Sequence, residues 1–350
     1  MSIAVFCGLV IFVLLAVMLL AGVPIAIALA VSSICAILPV LNLGASVLTG
    51  AQRIFSGISV FSLLAIPFFI LAGNIMNNGG IAIRLVNCAR LISGRLPGSL
   101  AQTNIVANML FGAISGSGTA AAAAIGGTMA PIELEEGYDK DYVAAVNIAS
   151  APTGQLIPPS NTLIVYATVA GSVSVAALFM AGYIPGIAWG ISLMFIAGYM
   201  AKRRGYVSTF SVTPKEALKV LWDALPSLLL IIIVIGGILK GVFTATEGSA
   251  IAVVYALILS LCYRSLKIKD LPSIILSSCK TTCIVIFMIG VSSIMSWVMA
   301  YTMIPTAIAN AMLSLSSNKY VILLLMNVIL LVVGTFMDPT PAVLIFTPIF

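Results

Sequence analysis

Apolar runs of about bilayer length follow one another along most of this chain, and polar residues gather at a few short breaks between them. Residues 3–21 form the first run. Gly22-Val23 turns it, and Pro24 opens a second helix over about 25–41. A loop holding Arg53 is expected next, then a third helix over 58–76 that Pro67 should kink. Asn77-Asn78-Gly79-Gly80 stops that helix. Residues 81–96 follow, with Arg84, Arg90 and Arg95 roughly on one face, a pattern that predicts an amphipathic helix lying at the membrane surface.

The pattern breaks down most between Gly112 and Ser160. Residues 100–114 and 120–131 are apolar but shorter than the about 20 residues that a crossing takes. Ser115-Gly116-Ser117-Gly118-Thr119 separates them. Two short arms around a Gly/Ser tip predict a re-entrant hairpin. Glu133, Glu135, Glu136, Asp139, Lys140 and Asp141 should then form a solvated loop. Residues 143–171 are apolar but broken at Gly154 and at Pro158-Pro159. Helices are expected over 175–200, 225–240, 249–263 and 280–300, with a polar segment at 208–223. A weakly polar arm over 303–317 and a short apolar arm over 320–333 lead to a second break, from Gly334 to Pro341. A last arm starts at Ala342.

Composition fixes the class. The chain is 61% hydrophobic and 7% charged, where soluble domains carry about a quarter charged residues. That predicts an all-α polytopic membrane protein; the ten-residue alternation of a β-barrel is absent. Histidine is missing altogether, which removes Ser-His-Asp and Cys-His catalysis and most zinc sites. With no paired acid and base, the expectation is a protein that is not an enzyme. The six cysteines show no CxxC spacing, and Cys279 and Cys283 are expected to be small buried hydrophobes. No basic-aromatic patch points to nucleic acid. The N-terminus lacks the basic region and cleavage site of a signal peptide, so the first helix reads as retained. Lys202-Arg203-Arg204 and Arg264, Lys267, Lys269 lie two helices apart and so share a side. The positive-inside rule makes that side cytoplasmic. The N-terminus then falls on the periplasmic side, the Ser115 hairpin opens from the cytoplasm, and the hairpin at Asp338 opens from outside.

The two halves align at one offset. Gly22-Val23 matches Gly241-Val242, and 241 less 22 is 219. Phe68 with Phe287, and Ile75-Met76 with Ile294-Met295, keep that spacing. The Ser115 tip then lands on Gly334 and Thr119 on Asp338. Opposite hairpin orientations make this an inverted-topology repeat, a common plan for secondary transporters with a midplane site. The expected division is a first repeat over 1–220 and a second over 221–350, incomplete because it ends inside its hairpin.

The breaks suit ion and solute binding. Non-helical backbone in hydrocarbon is tolerated only where protein covers it or where it lines a cavity. Gly and Ser at 115–118 allow a tight reversal, and their carbonyls and hydroxyls can replace the hydration shell of a hard cation. Pro158 and Pro159 have no N–H, so carbonyls near Gly154 and Gln155 lose their helical partners and become candidate sodium ligands. A half-helix beginning near Ser160-Asn161 points a positive dipole end at the same spot, suited to a carboxylate. Asp338 is the one carboxylate at a predicted tip, and an intramembrane acid is functional by default. Other readings stand beside these. A Gly/Ser/Ala run also serves close helix packing, Pro-Pro also kinks helices, Asp-Pro also caps turns, and Glu247 also serves as a helix cap.

Together, several motifs resemble the DctM-like large membrane subunit of TRAP transporters (tripartite ATP-independent periplasmic transporters). They are Ile66-Pro-Phe-Phe-Ile-Leu-Ala-Gly-Asn74, Arg95-Leu-Pro-Gly98, Ser115-Gly-Ser-Gly118, Ile157-Pro-Pro-Ser160, the turn from Gly241 to Glu247, and Met337-Asp-Pro-Thr340. The resemblance implies inverted repeats with two re-entrant hairpins and broken helices, moving as an elevator in a bacterial or archaeal cytoplasmic membrane. It implies uptake of a small organic acid anion coupled to Na+: a C4-dicarboxylate, sialic acid or a sugar-derived keto acid. It also implies two protein partners besides membrane lipid, a small four-helix membrane subunit and a periplasmic substrate-binding protein. One sodium site would use Ser115, Ser117, Gly154 and Pro158. Gly334 and Asp338 would stand at its counterpart, and substrate would lie near Ser115, Ser160, Asn161 and Asp338. Where many members carry an Asp after the first tip, this chain has Ala121. The competing expectations are a divalent-anion/sodium symporter that works without a binding protein, and a truncated fragment that does not transport.

Overall fold

The computed structural model describes residues 3–171, 173–206, 212–315, 318–335 and 339–349, and every regular element among them is helical. Among the described residues six helical segments are long and apolar enough to cross a membrane: Ile3–Leu20, Phe61–Asn78, Val175–Arg204, Pro214–Leu239, Ala245–Cys262 and Ile268–Tyr301. They carry large apolar side chains on their outsides, Phe12, Leu20, Phe195 and Ile232 among them. A soluble fold would bury such residues; a bilayer accepts them. The protein is an all-α polytopic membrane protein.

In chain order the helices are α1 (Ile3–Leu20), α2 (Ile25–Ile37), α3 (Leu43–Ile58), α4 (Ala65–Asn78), α5 (Ile81–Ser93), α6 (Ser99–Ser115), α7 (Gly118–Glu135), α8 (Lys140–Ser150), α9 (Thr153–Leu156) and α10 (Asn161–Ala170). Then come α11 (Val175–Arg204), α12 (Pro214–Leu239), α13 (Ala245–Cys262), α14 (Leu271–Tyr301), α15 (Ile304–Leu315), α16 (Lys319–Gly334) and α17 (Pro339–Phe346). Helix ends recur at the repeat offset, since α1 ends at Leu20 and α12 at Leu239, while α6 ends at Ser115 and α16 at Gly334.

The helices form two compact units. The first takes in Met1–Leu63, Val165–Ser172 and Cys283–Phe350. Its core gathers Cys7 and Ile11 of α1, Leu29 and Ile37 of α2, Ile294, Met295 and Val298 of α14, Ile304 of α15 and Ile345 of α17. Gly22, with φ +79°, makes the α1–α2 turn that any β-carbon would strain.

The second unit takes in Leu64–Ile164 and Val173–Thr282. Here α13 lies along α4, α12 packs on α5 and α13, and α11 covers α6 and α9. Gly79 lets α4 meet α13, since a β-carbon there would sit 1.9 Å from Ser260 Oγ. Asn74 donates to Ser278 Oγ at 2.8 Å, tying α4 to α14 within the same unit.

Several expectations need correction. The Arg53 segment is not a loop but α3, started by Asn42, whose side chain accepts from Ala45 N–H at 2.8 Å. Its alternation of apolar and small polar residues is too weak for a spanning run, which is why length alone passes over it. Pro67 kinks nothing: α4 begins at Ala65, so the proline sits in the first turn, where no helical N–H is lost. The later part of the polar 208–223 segment is already helix. Thr213 and Glu216 close a capping box, with Thr213 N–H donating to Glu216 Oε2 at 3.0 Å, and Pro214 begins α12. Thr244 and Glu247 do the same for α13, so Glu247 is a cap. Helix α14 starts at Leu271, ahead of the expected 280. Cys279 and Cys283 are exposed, while Cys7 and Cys88 are buried. Of the expected solvated acidic loop only Glu136 and Asp139 lie between helices: Glu133 and Glu135 belong to α7, Lys140 and Asp141 to α8, and Glu133 is fully buried.

Candidate functional site

The two breaks expected from the sequence meet in the second unit. Helix α6 ends at Ser115, Gly116 turns the chain with φ +64°, and Ser117 caps α7, its hydroxyl accepting from Ala120 N–H at 3.3 Å. Opposite, α8 stops at Ser150, α9 makes one turn, and 157–160 is a non-helical bend with a cis bond between Pro158 and Pro159 before α10 begins. Asn161 N–H donates to Gly116 O at 3.1 Å, a backbone bond that joins tip to break. Ser160 is buried and caps α10, accepting from Leu163 N–H at 3.3 Å.

Only glycine fits these contacts. A β-carbon on Gly112 would lie 1.9 Å from the Gly154 α-carbon, and one on Gly116 would lie 2.8 Å from Pro159 O. On the other side Gly73 of α4 brings Ser115 to 3.1 Å, measured between β-carbon positions. Helix α11 approaches through Gly182, Gly186 and Gly190, which face Leu156 O, Ile157 and Met109. That small-xxx-small ladder is plain in the sequence and marks this face of α11 as one that packs closely.

The electrostatics follow from helix ends. The carbonyl end of α6 and the N–H ends of α7 and α10 converge at the tip, which offers partial negative charge for a cation and partial positive charge for an anion within one small volume. Pro158 and Pro159 have no N–H to give the carbonyls of Gly154 and Gln155. Ser115 Oγ lies 3.5 Å from Ser117 O, and Ser117 Oγ lies 3.0 Å from Thr119 Oγ1. Asn161 Oδ1 is buried without a hydrogen-bond partner. An orphaned acceptor at the mouth of a half-helix fits a cation or a bound donor. Among the described residues no group of three His, Cys, Asp or Glu side chains gathers. The oxygens on offer here are carbonyls, hydroxyls and an amide, a donor set suited to a hard cation of low charge.

Ser115, Ser117, Gly154, Pro158, Ser160 and Asn161 therefore belong to one locus. Gly334 is the last residue of α16, in the first unit, and a β-carbon on it would meet nothing within 4 Å. Asp338 lies outside the described residues.

Below the tip runs a buried polar chain that sequence reading missed. Asn108 Nδ2 reaches Asn104 Oδ1 at 2.8 Å, Ser150 Oγ at 2.9 Å and Asn147 Oδ1 at 3.3 Å. Asn104 Nδ2 faces both Glu133 oxygens at 3.4 Å. Asn147 Nδ2 donates to Ala122 O at 3.0 Å. The chain locks α6 to α7 and α8, so it fixes how the tip meets the break. Asn104 and Asn108 stand one helical turn apart on α6, a polar spacing within an apolar arm that was there to be read.

The model of one family, the DctM component of the tripartite ATP-independent periplasmic transporters, matches residues 12–350. An uncharacterised Salmonella typhimurium protein, YgiK, is 53% identical over 335 residues, covering 96% of this chain and 77% of the relative. The isethionate TRAP transporter permease DctMQ of Oleidesulfovibrio alaskensis is 39% identical over 342 residues, which are 97% of this chain and 53% of that protein. The C4-dicarboxylate TRAP transporter large permease DctM of Rhodobacter capsulatus is 35% identical over 356 residues, covering 98% and 80%.

Proposed function

The chain belongs to the DctM-component family of the tripartite ATP-independent periplasmic transporters, and from that premise we propose that it imports a small organic acid anion together with Na+. It is a multi-pass membrane permease subunit, not an enzyme. In this reading Na+ is held by Ser115, Ser117 and the carbonyls of Gly154 and Pro158. The anion's charged group lies at the α10 end, near Ser115, Ser160 and Asn161. Gly334 and Asp338 serve a counterpart site in a second inverted repeat, 221–350, which follows the first, 1–220. The observation that supports this most is the tip-to-break bond from Asn161 N–H to Gly116 O, with Asn161 Oδ1 buried and unpartnered beside it.

The mechanism needs both charges in one place. A cation at the carbonyl end of α6 offsets the charge of the anion at the N–H ends, so the loaded tip is close to neutral and cheaper to move through a low-dielectric layer. Empty, the same tip exposes unpaired dipoles. We assign the movement to an elevator, the periplasm to the N-terminal side, and delivery to a soluble binding protein acting with a small membrane subunit.

The test is uptake into proteoliposomes holding the chain and its small subunit, with the binding protein outside. Radiolabelled succinate, isethionate and sialic acid are compared under an inward Na+ gradient and under K+. One of these anions is expected to accumulate only with Na+ and only with the binding protein. Equal uptake in K+ contradicts the coupling. Na+-driven uptake without a binding protein turns the assignment to a stand-alone anion symporter.

A further inference from the structure

The first unit contains an open cavity of about 470 Å³ with a polar side, within the size range of small-molecule sites. Its polar lining is Arg53 and Ser56 of α3, Thr168 of α10, and Ser292, Ser293, Ser296 and Trp297 of α14. Apolar residues, Val169 of α10 and Leu344 of α17 among them, line the rest. It shares no residue with the hairpin tip.

Close helix contact holds the cavity open in a defined shape. A β-carbon on Gly57 would lie 2.1 Å from Ser293 Oγ, and one on Gly290 would lie 2.8 Å from Ile58 Cγ2, so α3 and α14 touch on both sides of the polar lining. The guanidinium of Arg53 sits 5.9 Å from the Trp297 ring centroid, a cation–π distance. Among the described residues Arg53 has no carboxylate partner; the ion pair found there joins Arg204 to Asp139 in the other unit. Ser292 is 1% exposed and its hydroxyl has no hydrogen-bond partner. A buried hydroxyl left unpaired costs free energy that a ligand can recover.

The lining is donor-rich. It has a fixed positive charge, an indole N–H and hydroxyls at spacings of three and four residues on one helix face. Among the described residues no acid lines the cavity. This chemistry recognises an oxyanion, whose two or three oxygens match the guanidinium fork and the hydroxyls beside it. We propose that the cavity is an oxyanion-binding site in which Arg53 holds a carboxylate, sulfonate or phosphate group and Ser292 donates to it. The occupant is either a free organic anion or the headgroup of an anionic lipid, which share this chemistry.

Trp297 reports on the site. With Trp189→Phe and Trp222→Phe it is the remaining tryptophan, because the chain has three. The chain is placed in phosphatidylcholine nanodiscs and titrated with succinate and isethionate, with uncharged succinamide as control. A saturable change in Trp297 emission is expected with the anions and not with succinamide. Arg53→Gln should weaken it about tenfold or more, the scale of one charge-assisted contact. Arg53→Lys should fall between, keeping the charge but losing the fork, and Ser292→Ala should weaken it several-fold. Arg84→Gln, whose guanidinium stacks on Tyr263 in the other unit, should leave it unchanged. If phosphatidylglycerol in the nanodisc gives the change and blocks succinate, with both effects lost in Arg53→Gln, the occupant is a lipid headgroup. If phosphatidylglycerol does nothing, it is the free anion. If Arg53→Gln does not fold, Arg53→Lys and Ser292→Ala carry the comparison. The proposal is overturned if no anion, phosphatidylglycerol included, alters Trp297, or if the change survives unaltered in the Arg53 and Ser292 variants. None of these readings requires transport or Na+, so failure here is separate from failure of the coupling.

Discussion

Gly112→Ala should lower the melting midpoint sharply and abolish uptake. The added β-carbon would lie 1.9 Å from the Gly154 α-carbon, with the Gly154 nitrogen at 2.9 Å. Both are backbone atoms, so no side chain can rotate away; α6 or α9 must move as a whole. Overpacking a tight interior costs typically 1–3 kcal/mol, and a backbone-on-backbone clash belongs at or above about 3 kcal/mol. Gly127→Ala is the matched control. That glycine is exposed on α7 with nothing within 4 Å of the new carbon, and alanine favours a helix by about 1 kcal/mol over glycine. Its midpoint should stay level or rise. If Gly112→Ala in detergent melts with the native protein, the close approach of hairpin and broken helix is wrong.

Asn108→Leu should have the next largest effect. Leucine keeps the branching and the number of heavy atoms but is bulkier, and the buried amide that reaches Asn104 Oδ1 and Ser150 Oγ is gone. Each polar group left buried without a partner costs about 1–3 kcal/mol; Asn104 Oδ1 and Asn147 Oδ1 lose the bond that Asn108 gives them, while Ser150 Oγ keeps its bond to Val146 O. A loss of about 3 kcal/mol is expected in thermal or denaturant melts. Uptake should also fall, because α8 leads directly into the break. Ser150→Ala combined with Asn108→Leu should cost clearly less than the two single changes added together, since both act on one bond. Additive losses would show that the polar chain does not act as a unit.

The punctuation of the site was legible because Gly, Ser and Pro act locally. Gly116 between two serines favours a tight turn, and Pro158-Pro159 removes two helical N–H donors, whatever surrounds them. What the sequence hid depends on distant partners. Glu133 sits in an acidic run that reads as solvated, and its burial is set by Asn104 across the hairpin. Helix α3 mixes apolar with small polar residues and is shorter than a bilayer crossing, so no apolar run marks it; its start is set by Asn42, which accepts from Ala45 N–H. The capping boxes at Thr213 and Thr244 and the Gly182-Gly186-Gly190 ladder were readable as patterns. Only the structure says which helix the ladder meets.

The central claim is that the hairpin tip and the broken helix together hold the coupling ion. The most direct measurement is the melting midpoint of the purified chain in Na+ and in K+ at equal ionic strength, for the native protein and for Pro158→Ala with Pro159→Ala. An ion that binds the folded state alone stabilises it by about 2.7 kcal/mol at a hundred times its Kd. The midpoint should therefore rise in Na+ for the native chain, and the rise should vanish in the double variant, whose restored N–H groups can reclaim the Gly154 and Gln155 carbonyls. Equal midpoints in the two salts, or a Na+ shift that persists in the double variant, would contradict the account.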